Sequence, residues 1–200
     1  LFPGAKSANV VTDIVFENLV VDWNATVMMD YRAGGTFTAR GCEFNFSGTV
    51  YYPIYFLNSR SDLTLDVLFE DCTFNTNSSS SNAFATLSPN ANNCTVNIEF
   101  NGCTVNCISG PAFLNNQSKT STFNITFNAD DSKSTYISSK VNLITSTAEG
   151  ETNLTFGSNV YFDAPIEAKC LNVIPAYATG VKTVSSANAA YPYVATDDYV

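Results

Sequence analysis

The chain has 200 residues, 45% of them hydrophobic and only 14% charged, with 6 cysteines and no histidine. That length suits a single domain with a sizeable core, and the apolar fraction argues against a disordered chain. The formal charge of −9 speaks against nucleic acid as a partner, and the lack of histidine removes Ser-His-Asp, Cys-His and imidazole–zinc chemistry.

Residues 1 to 12 carry Pro3, Gly4 and a small polar stretch that feeds into Val10-Val11, with no amphipathic helix. Leu1 rather than Met at the first position points to a removed leader or a longer parent chain. A repeat then runs through the sequence. Its copies are Phe16-Glu17-Asn18-Leu19-Val20-Val21, Ala39-Arg40-Gly41-Cys42-Glu43-Phe44, Phe69-Glu70-Asp71-Cys72-Thr73-Phe74, Phe100-Asn101-Gly102-Cys103-Thr104-Val105 and Phe127-Asn128-Ala129-Asp130-Asp131-Ser132. A weaker copy is Phe156-Gly157-Ser158-Asn159-Val160-Tyr161. With the fourth position of each as marker (19, 42, 72, 103, 130, 159), the steps are 23, 30, 31, 27 and 29 residues.

Each copy has the same internal logic. An alternating strand leads in, such as Leu63, Leu65, Val67, Phe69 or Val96, Ile98, Phe100, with one face buried and one wet. Asn18, Gly41, Asp71 or Gly102 follows, residue types that tolerate left-handed backbone angles, so a sharp bend belongs there. Alternation restarts at Cys42 and Phe44, Cys72 and Phe74, Cys103 and Val105. After a polar loop comes a short apolar run: Pro53–Leu57, Ala83–Leu87 or Pro111–Leu114. A unit of three short strands cannot bury its apolar face alone; stacked in register, such units share a continuous core. The pattern predicts an all-β parallel β-helix, a solenoid of about five to six coils over residues 1–163. Residues 164–200, rich in Pro, Tyr and Ala, read as an extended capping or docking arm, with Tyr177, Tyr191, Tyr193 and Tyr199 as its contact residues. The structural alternative is an antiparallel sandwich.

An even cysteine count permits disulfides. Cys42, Cys72 and Cys103 align as a column one coil apart, where two readings stand side by side: bridges, or small apolar fillers. Cys94, Cys107 and Cys170 lie off that column and suit loop-tying bridges. Asn-x-Ser/Thr sequons occur at Asn24, Asn45, Asn77, Asn93, Asn116, Asn124 and Asn153. Chance alone gives roughly 5 in so Asn-, Ser- and Thr-rich a chain, so these are candidates for glycosylation and no more. Paired cysteines, few lysines and this composition point to a secreted protein, extracellular or on a cell surface. No segment has the roughly 18–20 apolar residues that span a bilayer.

The phrases Phe69-Glu70-Asp71-Cys72-Thr73-Phe74 and Phe100-Asn101-Gly102-Cys103-Thr104-Val105 resemble right-handed parallel β-helix repeats of the pectate-lyase-like superfamily, and more narrowly those of microbial adhesin-like surface proteins. The likeness covers about residues 10 to 162. Polysaccharide hydrolases of that superfamily carry Asn-Thr-Asp, Asp-Asp, Gly-His-Gly and Arg-Ile-Lys motifs, of which only Asp130-Asp131 is present. Its lyases use a calcium cluster with an Arg or Lys base. Here Glu17 and Glu70 share a column, whereas Glu43 and Glu99 fall outside it, and such a stripe reads as a solvated face. No catalytic residue, metal site or cofactor is therefore expected. Tyr51, Tyr52 and Tyr55 form the densest aromatic cluster for stacking on sugars. The expectation is a non-enzymatic extracellular structural protein that self-associates head-to-tail into a filament or an adhesin-like array. The alternative is a carbohydrate-binding or degenerate polysaccharide-active protein.

Overall fold

The computed structural model describes residues 9–24, 27–48, 52–78, 83–109, 113–138, 144–146, 150–157, 159–162 and 181–185. Three strands recur per turn. The first turn consists of β1 (Val11–Glu17), β2 (Val20–Trp23) and β3 (Val27–Tyr31), the second of β4 (Gly34–Arg40), β5 (Glu43–Gly48) and β6 (Tyr52–Phe56). The third comprises β7 (Thr64–Glu70), β8 (Thr73–Ser78) and β9 (Ala85–Leu87), the fourth β10 (Thr95–Asn101), β11 (Thr104–Ser109) and β12 (Leu114–Asn116). Then come β13 (Thr122–Asn128), β14 (Thr135–Ile137), β15 (Ile144–Ser146), β16 (Thr152–Phe156), β17 (Val160–Phe162) and β18 (Val181–Ser185).

These strands stack into three sheets, ordered β1-β4-β7-β10-β13-β16-β18, β2-β5-β8-β11-β14-β17 and β3-β6-β9-β12-β15, and the pairings within all three are parallel. The molecule is thus an all-β parallel solenoid, as the repeats predict, with no helix among the described residues. It has about four full turns rather than the five to six expected. From β14 onward, most of the chain that closes each turn lies outside the described residues. Within 164–200 only Val181–Ser185 is described, and it adds a strand to the first sheet beside β16. Cys170, Tyr177, Tyr191, Tyr193 and Tyr199 lie outside the described residues.

Register makes like side chains meet. Phe69 sits opposite Phe100, Phe100 opposite Phe127 and Phe127 opposite Phe156 on successive strands of the first sheet. Their rings stack, with centroids 5.3, 4.7 and 5.8 Å apart. Offset-stacked pairs of this kind contribute about 0.5–1.5 kcal/mol each beyond area burial. Ala39 interrupts the column between Phe16 and Phe69. Phe37 fills the space it leaves, edge-on to both rings at 5.3 and 5.8 Å. A second column, Phe84 over Phe113 at 4.9 Å, enters from the third sheet. Two of its strands start later than the apolar runs imply: β9 begins at Ala85 and β12 at Leu114, and Pro111 and Ala112 lie outside the described residues.

The bends fall where the sequence places them. Asn18, Gly41, Asp71 and Gly102 have φ of 54°, 59°, 53° and 66°. In the fifth copy, however, the marker is not Asp130. Asp130 and Asp131 are exposed in a loop, and the inward position beside Cys103 is taken by Thr135, whose Oγ1 accepts from the Cys103 N–H at 3.0 Å. In the sixth copy Asn159 occupies the bend at φ 53° and Val160 pairs with Thr135. Extra loop residues between bend and strand shift the count, while the hydrogen-bonded register stays intact.

Two glycines are fixed by geometry. At Gly102, a Cβ would lie 2.7 Å from Asp71 Oδ1, the end of a side chain in the coil below. At Gly35, with φ 98°, a Cβ would lie 2.3 Å from the Thr12 carbonyl oxygen, which is backbone and cannot swing away. Gly102→Ala is expected to cost about 1–2 kcal/mol through the left-handed conformation. Gly35→Ala should cost more, since β1 must shift. Denaturant unfolding of both variants checks the ranking, and equal midpoints for both variants and wild type would overturn it.

Candidate functional site

The outer face of the first sheet carries the longest run of ordered polar side chains. One column reads Asp13, Thr36, Asp66, Asn97, Asn124, Asn153, each residue opposite the next. Its amides form a ladder: Asn97 Nδ2 donates to Asp66 Oδ1 at 2.7 Å, Asn124 to Asn97 Oδ1 at 2.7 Å and Asn153 to Asn124 Oδ1 at 2.8 Å. The second sheet carries a parallel ladder, in which Asn45 donates to Asp22 at 2.9 Å, Asn75 to Asn45 at 2.8 Å and Asn106 to Asn75 at 3.2 Å. Each ladder ends on a carboxylate because asparagine both donates and accepts, whereas an ionised aspartate only accepts.

Beside the first ladder runs a shallow groove of about 370 Å³. Thr36, Thr38, Asp66, Leu68, Asn97, Glu99, Asn124 and Thr126 line it. It presents hydroxyl, amide and carboxylate oxygens at the strand spacing of about 4.8 Å, with no aromatic ring among its lining residues. Of the aromatic cluster singled out from sequence, Tyr55 does not line the groove. Tyr55 is half-buried in the third sheet, where its hydroxyl accepts from Ser88 Oγ at 3.1 Å. Tyr51 and the side chain of Tyr52 lie outside the described residues.

The column of Glu17 and Glu70 also contains Arg40, placed between them. Arg40 Nε bonds Glu70 at 3.0 Å and its Nη1 reaches Glu17 at 3.5 Å. Lys133, from the loop after β13, adds contacts to Glu70 at 3.2 Å and Asp71 at 2.9 Å. The acidic stripe is thus an ion-pair ladder. Among the described residues no group of three or more His, Cys, Asp or Glu is arranged to hold a metal ion. Lys133, then Arg40, hydrogen-bonds the Glu70 carboxylate and holds it below the ordinary carboxylate range. A carboxyl held low stabilises the fold above its unfolded pKa, and that contribution is lost as pH falls through the folded value. The stability gap between wild type and Lys133→Ala is therefore expected to be open near neutrality and to close below about pH 4.3. Denaturant titrations across pH measure it; a gap independent of pH would overturn the assignment.

Among the described residues, the cysteines decide for fillers in the column and correct the loop-tying bridge expected of Cys94. Cys42, Cys72, Cys94 and Cys103 are all buried free thiols. In the column, Cys42 Sγ donates to Arg40 O at 3.4 Å, Cys72 to Ala39 O at 3.3 Å and Cys103 to Phe69 O at 3.2 Å. Cys94 lies off the column and donates to Asn92 O at 3.4 Å. Parallel in-register strands point successive side chains the same way, which suits a ladder of fillers better than a bridge. Burial pushes the thiols of Cys42, Cys94 and especially Cys103 up. Cys72 is held lower by its contact with Cys103. Cys170 and the side chain of Cys107 lie outside the described residues.

The third sheet holds what the sequence pattern does not show. Its residues are buried on both faces across β3, β9 and β12, so the polar column Asp30, Tyr55, Thr86, Asn115 lies largely away from solvent. Arg32 pairs with Asp30. Arg60, only 5% exposed, donates to Arg32 O at 2.9 Å. Asp30 Oδ1, Thr86 Oγ1 and Asn115 Oδ1 are buried without a hydrogen-bond partner. Three-residue strands with polar centres carry too little alternation to announce such burial.

The sequons divide in the same way. Asn45, Asn124 and Asn153 are ladder members, and Asn116 is fully buried. Asn24 and Asn93 are exposed, and the side chain of Asn77 lies outside the described residues. No family model, curated protein or solved structure matches this chain.

Proposed function

We propose that this chain is a non-enzymatic extracellular structural protein, a subunit of a filament or of an adhesin-like surface assembly, built by head-to-tail contact between solenoid ends. The observation that carries the reading is the state of the first turn. Among the described residues, β1, β2 and β3 are the edge strands of their three sheets, so three rows of backbone N–H and C=O groups face the same way. Val11, Val15, Leu19 and Val20 in that turn are 74%, 54%, 43% and 66% exposed. Four of the five exposed large apolar side chains among the described residues thus cluster in one turn. The inward Ile14, Phe16, Val21 and Trp23 are only partly covered. A further parallel coil is the surface that satisfies both the backbone edge and the apolar side chains, and a second copy supplies one. Contacts of this heterologous kind propagate into open fibres when rotation does not close a ring. The likeness of the repeats to right-handed β-helix repeats of the pectate-lyase-like superfamily and of microbial surface proteins belongs to this proposal as analogy. The Asn-, Ser- and Thr-rich composition is what favours secretion, and the sequons supply candidate glycan acceptors for a secreted chain.

Electron microscopy and sedimentation of the purified protein are expected to show concentration-dependent fibres or end-to-end oligomers. The Val11→Lys/Val20→Lys variant, which puts charge on two edge strands, should disperse them at unchanged thermal midpoint. A wild-type protein that stays monomeric at high concentration would sink the proposal.

A second reading, carbohydrate binding, is favoured by the polar groove on the first sheet. Titration calorimetry against neutral and acidic oligosaccharides tests it. The expected heat is lost in Glu99→Gln/Thr126→Val, and no heat with any glycan class would dismiss it.

A further inference from the structure

Three of the seven sequons share one strand motif: Asn45-Phe46-Ser47, Asn124-Ile125-Thr126 and Asn153-Leu154-Thr155. Each is outward asparagine, inward apolar residue, outward hydroxyl. A solenoid strand with a polar ladder outside and an apolar column inside writes this triplet for its own reasons, since side chains alternate with period two. The acceptor sequence for a glycan then arises as a by-product of the fold.

The amide hydrogens separate by-product from usable site. N-glycosylation joins Nδ2 to the anomeric carbon of an oligosaccharide carried on a polyprenyl diphosphate. The diphosphate carrier leaves, one amide proton is lost, and Nδ2 keeps a single N–H. Asn45 already uses Nδ2 twice, toward Asp22 Oδ1 at 2.9 Å and Glu43 Oε1 at 3.0 Å. Asn153 does the same toward Asn124 Oδ1 at 2.8 Å and Glu151 Oε1 at 2.9 Å. Asn116 is fully buried, with Nδ2 toward Glu151 O at 3.1 Å and Thr152 Oγ1 at 2.9 Å. A sugar on any of these removes a bond of the stack and, at Asn116, must occupy the core. A glycan added before folding would block the neighbouring coil from docking. Asn93 differs on every count. It is exposed at a bend with φ 50°, and its backbone N–H, rather than its side-chain amide, donates to Thr120 Oγ1 at 3.1 Å. Its sequon, Asn93-Cys94-Thr95, lies at the entry to β10, where a sugar projects into solvent without touching a ladder.

We infer that Asn93 is a glycan acceptor of this protein and that Asn45, Asn116 and Asn153 remain unmodified ladder and core residues. This rests on the reading of the chain as a secreted glycoprotein and divides its sequons into two physical classes. The test is secretion of the full chain from a eukaryotic host behind a supplied leader. Peptide mapping follows, after an amide-cleaving glycosidase in heavy-oxygen water. The expected result is the heavy-aspartate mark at Asn93 and plain asparagine at Asn45, Asn116 and Asn153. Asn93→Gln should lower the intact mass by one glycan with an unchanged thermal midpoint. Thr155→Ala, which destroys the sequon but spares the ladder amide, should leave the glycan mass unchanged. Bare Asn93, or a glycan on Asn45, Asn116 or Asn153 in folded soluble material, would overturn the inference. Because the leader is supplied, occupancy reports the geometry. Export of the protein from its own cells reports the reading beneath it, so the two fail separately.

Discussion

Everything in this molecule depends on parallel, in-register hydrogen bonding between successive turns. Each strand in the middle of a sheet pairs above and below with its counterpart from the neighbouring turn, as β10 does with β7 and β13. Registry forces each side chain onto its equivalent one turn away, so chemistry is amplified along columns. An aromatic column becomes a ring stack from Phe69 to Phe156. An asparagine column becomes an amide ladder from Asp66 to Asn153. Charge obeys the same rule in reverse. Like charges directly opposite each other would repel, and Arg40 stands between Glu17 and Glu70.

The same registry sets what the surface can do. On the first and second sheets the outer polar groups are largely spent on one another, which rigidifies the face. Buried thiols follow this economy as well: Cys42, Cys72 and Cys103 occupy inward positions as small side chains that donate to carbonyls rather than as cross-links. What a ladder cannot satisfy within the stack is its end. Among the described residues the first turn has edge backbone and exposed valines, the features on which the proposal of assembly through that end rests.

The third sheet is the exception. Its strands β3, β9 and β12 are short and largely hidden on both sides, and its polar column combines the paired Asp30 with the unpartnered oxygens of Thr86 and Asn115. An unmet buried acceptor costs about 1–3 kcal/mol, so at Asp30 Oδ1, Thr86 Oγ1 and Asn115 Oδ1 the surrounding packing and the backbone ladder must offset what the side chains leave unbonded.

Sequence alone determined the features that repeat at short range. Alternation gave the strands, Asn18, Gly41, Asp71 and Gly102 gave the bends, and self-similar copies gave the stacking of Phe69 on Phe100, because period and turn chemistry are local properties. Only the tertiary structure decided what depends on neighbours in space. It put Thr135 rather than Asp130 beside Cys103, because loop length is free while register is not. It buried both faces of the third sheet across β3, β9 and β12, left the cysteine column as thiols, and turned three sequon asparagines into ladder rungs. None of these could be read along the chain, because each is set by what lies one turn above or below, about thirty residues away in sequence.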